Sequence, residues 1–130
     1  MKPIRYLVIT LLSLLPMATQ AGDFDGSRLL ICAPVTTMDC VRGGDCLTGL
    51  PEDVGAPAFM RLDFTGRAVI GPKVTSPILL MDKTSDQILL QGREIDFGWT
   101  IALDSKNGEM AVTLTDRNGA YVLFGSCTPL

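Results

Sequence analysis

Four cysteines carry the most distinctive chemistry in this chain, which contains no histidine. An even number of cysteines in a small domain of an oxidising compartment predicts two disulfides. A zinc site would need closely paired cysteines, whereas seven and five residues separate Cys32 from Cys40 and Cys40 from Cys46. Without histidine, the chain cannot build a Ser-His-Asp or Cys-His catalytic site or a histidine-ligated metal centre.

The turn composition favours one pairing of the cysteines among the three that are possible. Arg42-Gly43-Gly44-Asp45 lies between Cys40 and Cys46 and predicts a flexible turn that brings the two ends together. The remaining pair, Cys32 with Cys127, would then join the first strand of the domain to the last.

The acidic residues show no catalytic or metal-binding pattern. Glu52 with Asp53 and Glu94 with Asp96 are carboxylate pairs, but acid–base catalysis needs a pocket that raises one pKa, and solvation at the surface is the default for such pairs. Residues 104–109 superficially match a calcium loop, yet Lys106 stands where an oxygen ligand is required. A phosphate-binding glycine loop is also absent from the sequence. We therefore expect no catalytic residues, no metal site and no cofactor.

Composition and charge restrict the class of protein further. The chain has 130 residues, of which 47% are hydrophobic and 19% charged, which fits one globular domain. Its net charge of −3 argues against nucleic-acid binding, because phosphates are usually met by a basic face.

Residues 1–21 have the pattern of a secretory signal peptide. Lys2 and Arg5 precede about ten mostly apolar residues at 6–15, and Thr19-Gln20-Ala21 supplies small residues before a cleavage site at Gly22. The apolar run ends at Pro16 and is too short to span a bilayer. We expect export to the periplasm, no membrane anchor after cleavage, and a single β domain at 22–130 with a net charge of about −5.

Short alternating segments predict an all-β domain. The clearest has Phe97, Trp99, Ile101 and Leu103 on one face, and Met110, Val112 and Leu114 repeat the pattern after a turn at 105–108. Further strands are predicted at 28–33, 59–64, 67–70, 77–81, 87–91 and 121–125. About eight strands joined by tight turns favour an antiparallel meander that closes into a small barrel, with a two-sheet sandwich as the alternative.

One long connection separates the first two predicted strands. It covers 34–57, holds the Cys40–Cys46 pair, and has Pro51-Glu52-Asp53 where a short helix could start. The segments 78–81 and 88–90 are apolar on both faces, which indicates that their outer face is covered. We expect the long loop to cover it, and a partner or dimer contact is the alternative.

Several segments resemble a group of short exported proteins of Gram-negative bacteria with no assigned activity. They are 98–103 (GWTIAL), 108–110 (GEM), 121–130 (YVLFGSCTPL), 25–27 (DGS) and 32–34 (CAP). The resemblance implies a periplasmic location. A small exported barrel with an end-to-end disulfide is also similar in architecture to periplasmic lysozyme inhibitors. The chain lacks the Ser-Gly-x-x-Tyr loop of that family, so the inhibitor function is not carried over.

These observations lead to the hypothesis of a non-catalytic binding module with a periplasmic protein partner. The predicted contact residues lie in the 34–57 segment and are Arg42, Asp45, Glu52 and Asp53. A loop restrained by a disulfide loses less conformational entropy on binding than a free loop does. The alternative is a carrier for a small apolar ligand or a metal, since a barrel of about eight strands has room for one small ligand. An enzyme is the third hypothesis. The aromatic residues of the inner face, Trp99 and Tyr121 among them, are expected to fill or line the barrel.

Overall fold

The computed structural model describes residues 22–130, so the predicted signal peptide at 1–21 lies outside the described residues. Its strands are β1 (Leu30–Val41), β2 (Cys46–Gly49), β3 (Met60–Asp63), β4 (Ala68–Ile70), β5 (Thr75–Lys83), β6 (Gln87–Glu94), β7 (Phe97–Asp104), β8 (Glu109–Thr115) and β9 (Gly119–Pro129). A 3₁₀ helix spans Pro51–Val54, where the sequence predicts a short helix. Among the described residues, no helix is long and apolar enough to cross a membrane.

The strands form one antiparallel meander that closes on itself. Each strand from β3 to β8 pairs with the next along the chain, and β9 pairs with β1. β1 also pairs with β3 through its first residues and with β2 through its last residues. The result is a closed eight-stranded barrel with β2 as an additional strand, which confirms the predicted all-β barrel over the sandwich.

Alternation along the strands decides which side chains fill the barrel. Trp99, Ile101 and Leu103 on β7 are buried, while the residues between them are partly exposed. Met110 and Val112 on β8 repeat the pattern. Because successive side chains of a strand point to opposite faces, these residues build the interior.

Both predicted disulfides are present. Cys32 is bonded to Cys127, and Cys40 is bonded to Cys46. The first joins paired positions of β1 and β9, the two strands that close the barrel. The second joins paired positions of β1 and β2. Disulfides of this kind indicate an oxidising, non-cytoplasmic compartment.

The predicted end of the first strand at Pro34 is wrong. β1 continues to Val41, so most of the expected 34–57 loop consists of the second half of β1, a turn at 42–45, β2 and the 3₁₀ helix. The register of β1 against β9 shifts between Pro34 and Thr36. A proline is tolerated in a strand at such a bulge, because the regular hydrogen bonding between the strands is already interrupted there and does not need its N–H.

The outer face of β5 and β6 is not covered by the 34–57 segment, contrary to expectation. The side chains of Leu79 and Leu80 are 61% and 46% exposed. The segment lies elsewhere because β2 pairs with β1 and the 3₁₀ helix also packs against β1. β5 and β6 therefore keep apolar side chains on the outer wall.

The two ends of the barrel differ. The turns 64–67, 84–86 and 105–108 lie at one end, which we call the closed end, together with the N-terminal segment 22–29. Phe24 packs against the core there, and a side chain at Gly108 would overlap its ring. The turns 42–45, 71–74, 95–96 and 116–118 lie at the other end, which we call the mouth.

Candidate ligand-binding cavity

A cavity of about 590 Å³ opens at the mouth of the barrel. Its floor contains Met60, Ile101, Val112 and Leu123, the inward residues of four strands. Its rim contains residues 54–57, at and after the end of the 3₁₀ helix, and residues 71–74 of the β4–β5 loop. Since β3 and β4 have only four and three residues, these two loops complete the wall that the short strands leave unfinished.

Three aromatic residues line the cavity wall: Phe97 and Trp99 on β7 and Tyr121 on β9. The rings of Phe97 and Tyr121 have their centroids 6.1 Å apart and are tilted by 43°. Leu114 on β8 is paired with both Trp99 and Tyr121 and lies between them in the inner layer. The expectation that Trp99 and Tyr121 line the barrel is confirmed.

The polar atoms deep in this wall are already hydrogen-bonded. Trp99 Nε1 donates to Ser76 Oγ at 2.9 Å, and Ser76 Oγ donates to the carbonyl oxygen of Arg93 at 3.2 Å. Ser76 and Trp99 are both buried. Because each of these groups has its partner within the protein, the deep part of the cavity presents apolar surface to a ligand.

Gly92 allows the Trp99 ring to pack against the wall. A Cβ at this position would overlap the indole ring and would lie 2.6 Å from the carbonyl oxygen of Pro77. Gly92 and Trp99 are directly paired across β6 and β7. The absence of a side chain at Gly92 therefore sets how far the indole stands from the strand, and hence the space left in the cavity.

Two charged residues line the cavity at the mouth. Glu94 is partly buried at the end of β6 and is paired with Phe97 across the β6–β7 turn. Lys73 is exposed on the β4–β5 loop. Within residues 22–130, neither side chain takes part in an ion pair.

Arg42 and Asp45, two of the predicted contact residues, lie in the exposed turn at 42–45 and do not line the cavity. Arg42 Nη2 donates a hydrogen bond to the carbonyl oxygen of Arg117 at 2.6 Å. The backbone N–H of Arg42 donates to the carbonyl oxygen of Asn118 at 3.0 Å. The β1–β2 turn is thereby fixed to the neighbouring β8–β9 turn.

The β8–β9 turn is itself ordered by Asp116. The backbone N–H groups of Asn118 and Gly119 donate to the Asp116 carboxylate at 2.7 and 3.0 Å. These hydrogen bonds, that from Asn118 foremost, hold the pKa of Asp116 below its ordinary value. The carboxylate therefore stays charged at neutral pH.

Glu52 and Asp53, the other two predicted contact residues, lie on the exposed side of the 3₁₀ helix. Asp53 Oδ2 accepts a hydrogen bond from the backbone N–H of Leu50 at 2.9 Å and so closes the first turn. Neither residue lines the cavity, although Val54 directly after them does. The structure thus brings the 34–57 segment to the rim through its apolar residues rather than its charged ones.

The pattern of residues along the chain did not locate the cavity. The aromatic and aliphatic residues that line it stand at inward positions near the mouth ends of β7, β8 and β9. In the sequence, such a pattern is also typical of a hydrophobic core. A second depression, of about 560 Å³, lies on the outer wall over Ala102, Ala111 and Phe124. The mouth is the stronger candidate, because it lies among the inward side chains of the barrel, where a ligand can be shielded from water.

Cysteine and methionine are the side chains that would suit a soft metal in a carrier, and the cysteines are not free for this role. All four cysteines are in disulfides, Met60 lies in the cavity floor, and Met110 Sδ packs 3.8 Å from Cys127 Sγ. In the part of the chain that the structure describes, no group of three or more cysteine, aspartate or glutamate side chains could hold a metal ion.

Comparison with protein-family models, with curated proteins and with solved structures finds no match for this chain. The candidate function is therefore argued from the geometry of the barrel and its mouth.

Proposed function

We propose that this protein is a non-catalytic binding protein that holds a small apolar ligand in the cavity at the mouth. The observation that carries this proposal is the cavity of about 590 Å³ with its aromatic and aliphatic lining. Small-molecule sites have volumes of about 300 to 1,000 Å³ and are lined mainly by apolar side chains with a few polar groups.

The difference in packing between the two halves of the barrel supports a ligand site at the mouth. An eight-stranded barrel is just wide enough for its own side chains or for one small ligand. In the closed half, Leu30, Leu62 and Leu103 are completely buried. In the mouth half, the inward residues surround unfilled space, and an apolar ligand there would remove their surface from water.

Export to the periplasm, after cleavage before Gly22, is part of the same proposal. The two disulfides support an oxidising compartment. The charged start and short apolar run of residues 1–21 support a signal peptide.

Contact with a periplasmic protein through Arg42, Asp45, Glu52 and Asp53 is the second candidate. It is supported by the fixed position of the β1–β2 turn, since a contact surface that is already ordered loses less entropy on binding. The two candidates use different residues, so variants separate them.

The test uses Trp99, the single tryptophan of the chain, as a reporter within the cavity. A neutral apolar fluorophore such as N-phenyl-1-naphthylamine should bind the exported, disulfide-bonded protein and accept energy from Trp99. Leu114→Arg places a long charged side chain in the cavity wall and should weaken binding at least about tenfold, because burying an unpaired charge is costly.

Thr113→Arg is the matched control, since Thr113 lies next to Leu114 on the exposed outer face of β8. It should leave fluorophore binding unchanged, as should replacement of the four charged contact residues by alanine. Equal binding by the Leu114 and Thr113 variants, or loss of binding in the fourfold variant alone, would count against the cavity as the site.

A further inference from the structure

The three aromatic rings in the cavity wall indicate which charge the ligand carries. Phe97, Trp99 and Tyr121 line one space, and the Phe97 and Tyr121 centroids are 6.1 Å apart. The face of an aromatic ring carries negative partial charge and attracts a cation within about 6 Å of its centroid. A ligand that reaches the face of one of these rings therefore meets surface that is apolar and also favourable to positive charge.

The hydrogen bonds of the wall restrict which cation fits. Trp99 Nε1 and Ser76 Oγ are both used within the protein. A ligand N–H group that faces this aromatic part of the wall would lose its hydrogen bond to water, because Trp99 Nε1 can only donate and Ser76 Oγ already has partners within the protein. A cation whose nitrogen carries alkyl groups in place of hydrogens has no such requirement.

Glu94 supplies the opposite charge. Glu94 is partly buried, lines the cavity, and is paired with Phe97 across the β6–β7 turn. Among the described residues it has no ion pair. A partly buried, unpaired carboxylate is stabilised by a cation that enters the same space.

Neither the basic residue that lines the cavity nor the one next to Glu94 on β6 changes this preference. Lys73 also lines the cavity, but it is exposed on the loop 71–74 and its ammonium group can remain in water. Arg93 alternates with Gly92 and Glu94 on β6, so it belongs to the outer face, where it is exposed. Asp116, in the β8–β9 turn at the same end, stays ionised.

We propose that the cavity selects an alkylated ammonium compound, with its apolar substituents against the aromatic wall and its positive charge near Glu94. This inference rests on the proposed function, because it names the ligand class of the same site.

Three octyl compounds that differ only in head group test the inference. They are octyltrimethylammonium, octyl glucoside and octyl sulfate, each titrated below its micelle-forming concentration and followed by Trp99 fluorescence. We expect the ammonium compound to bind about tenfold more tightly than the neutral glucoside, and the sulfate to bind most weakly.

Two substitutions assign the preference to residues. Glu94→Gln should lower the affinity for octyltrimethylammonium to near that for octyl glucoside, whose binding should not change. Asp96→Asn is the matched control, because Asp96 lies in the same turn but does not line the cavity. Phe97→Leu keeps an apolar side chain without the ring, and should reduce the preference for the cation severalfold.

The possible failures are distinguishable. Equal binding of the cation and the glucoside, or tightest binding of the sulfate, would overturn the inference and leave the proposed apolar site in place. If neither the octyl compounds nor the neutral fluorophore binds, the proposed function fails as well. Equal loss of cation binding in the Glu94 and Asp96 variants would also overturn the role given to Glu94.

Discussion

The two ends of the barrel place the same kinds of inward residue in different surroundings. At the closed end, Leu30, Leu62 and Leu103 are fully buried, and Phe24 of the N-terminal segment packs against this core. At the mouth, inward residues of the same strands surround a cavity of about 590 Å³. The difference shows that an inward apolar residue fills the core where packing is complete and borders open space where it is not.

The cause of the difference lies in strand length and in the connecting segments. The N-terminal segment 22–29 lies at the closed end, whereas the mouth is bordered by loops. β3 and β4 are short, so residues 54–57 and 71–74 form part of the wall at the mouth. We therefore expect substitutions at the closed end mainly to change stability, and those at the mouth mainly to change binding of the proposed ligand.

The largest contrast is expected between the two disulfides. Cys32 and Cys127 are 95 residues apart and join β1 to β9, whereas Cys40 and Cys46 are six residues apart at the mouth. Since a cross-link restricts the unfolded chain more when it closes a longer loop, replacing the first pair by alanine should cost about 4 to 5 kcal/mol, and the second about 2 kcal/mol. Urea unfolding of the two double variants measures this, and equal losses would contradict it.

A pair of leucine substitutions tests packing at the two ends. Leu103→Ala leaves a hole in the closed half and should cost about 2 to 5 kcal/mol of unfolding free energy. Leu114→Ala, in the cavity wall, should cost about 1 kcal/mol, because the side chain is only partly buried. Denaturant titrations of both variants with the disulfides intact give the comparison. A Leu114 variant as unstable as the Leu103 variant would show that the mouth is packed like the core.

Substitution of two glycines by alanine should have a smaller effect, and it tests the packing around Trp99 alone. Gly92→Ala should cost about 1 to 3 kcal/mol, because the added Cβ overlaps the Trp99 ring and must displace it. The displaced indole should also change the Trp99 emission spectrum and weaken ligand binding. Gly98→Ala on the adjacent strand is the control, since a Cβ there meets no atom within 4 Å. Unchanged emission in the Gly92 variant would show that the indole does not depend on this glycine.

Much of the barrel could be predicted, because alternation and turn composition are patterns among residues close together in the sequence. Alternation located β3 to β9 and the inward faces of β7 and β8, and the turn at 42–45 favoured the Cys40–Cys46 pairing that the structure contains. The prediction failed at Pro34, since a proline ends a regular strand but is accommodated at a bulge. It also missed β2, a four-residue strand whose position depends on pairing with β1.

The candidate site was less accessible to prediction than the fold. The sequence pointed to the charged residues of the 34–57 segment, whereas the cavity is lined by residues 54–57 of that segment and by Phe97, Trp99 and Tyr121. Residue type shows that these side chains avoid water. Whether they meet one another or enclose a space depends on how strands and loops are arranged around them.

The sequence by itself determined an all-β domain with inward and outward faces and two disulfides, because alternation and turn composition act over a few neighbouring residues. Only the tertiary structure decided that β9 closes on β1, that β1 continues past Pro34, and that one end is filled while the other is open. The physical reason is that closure and packing depend on residues far apart in the chain, and on the volume their side chains leave between them.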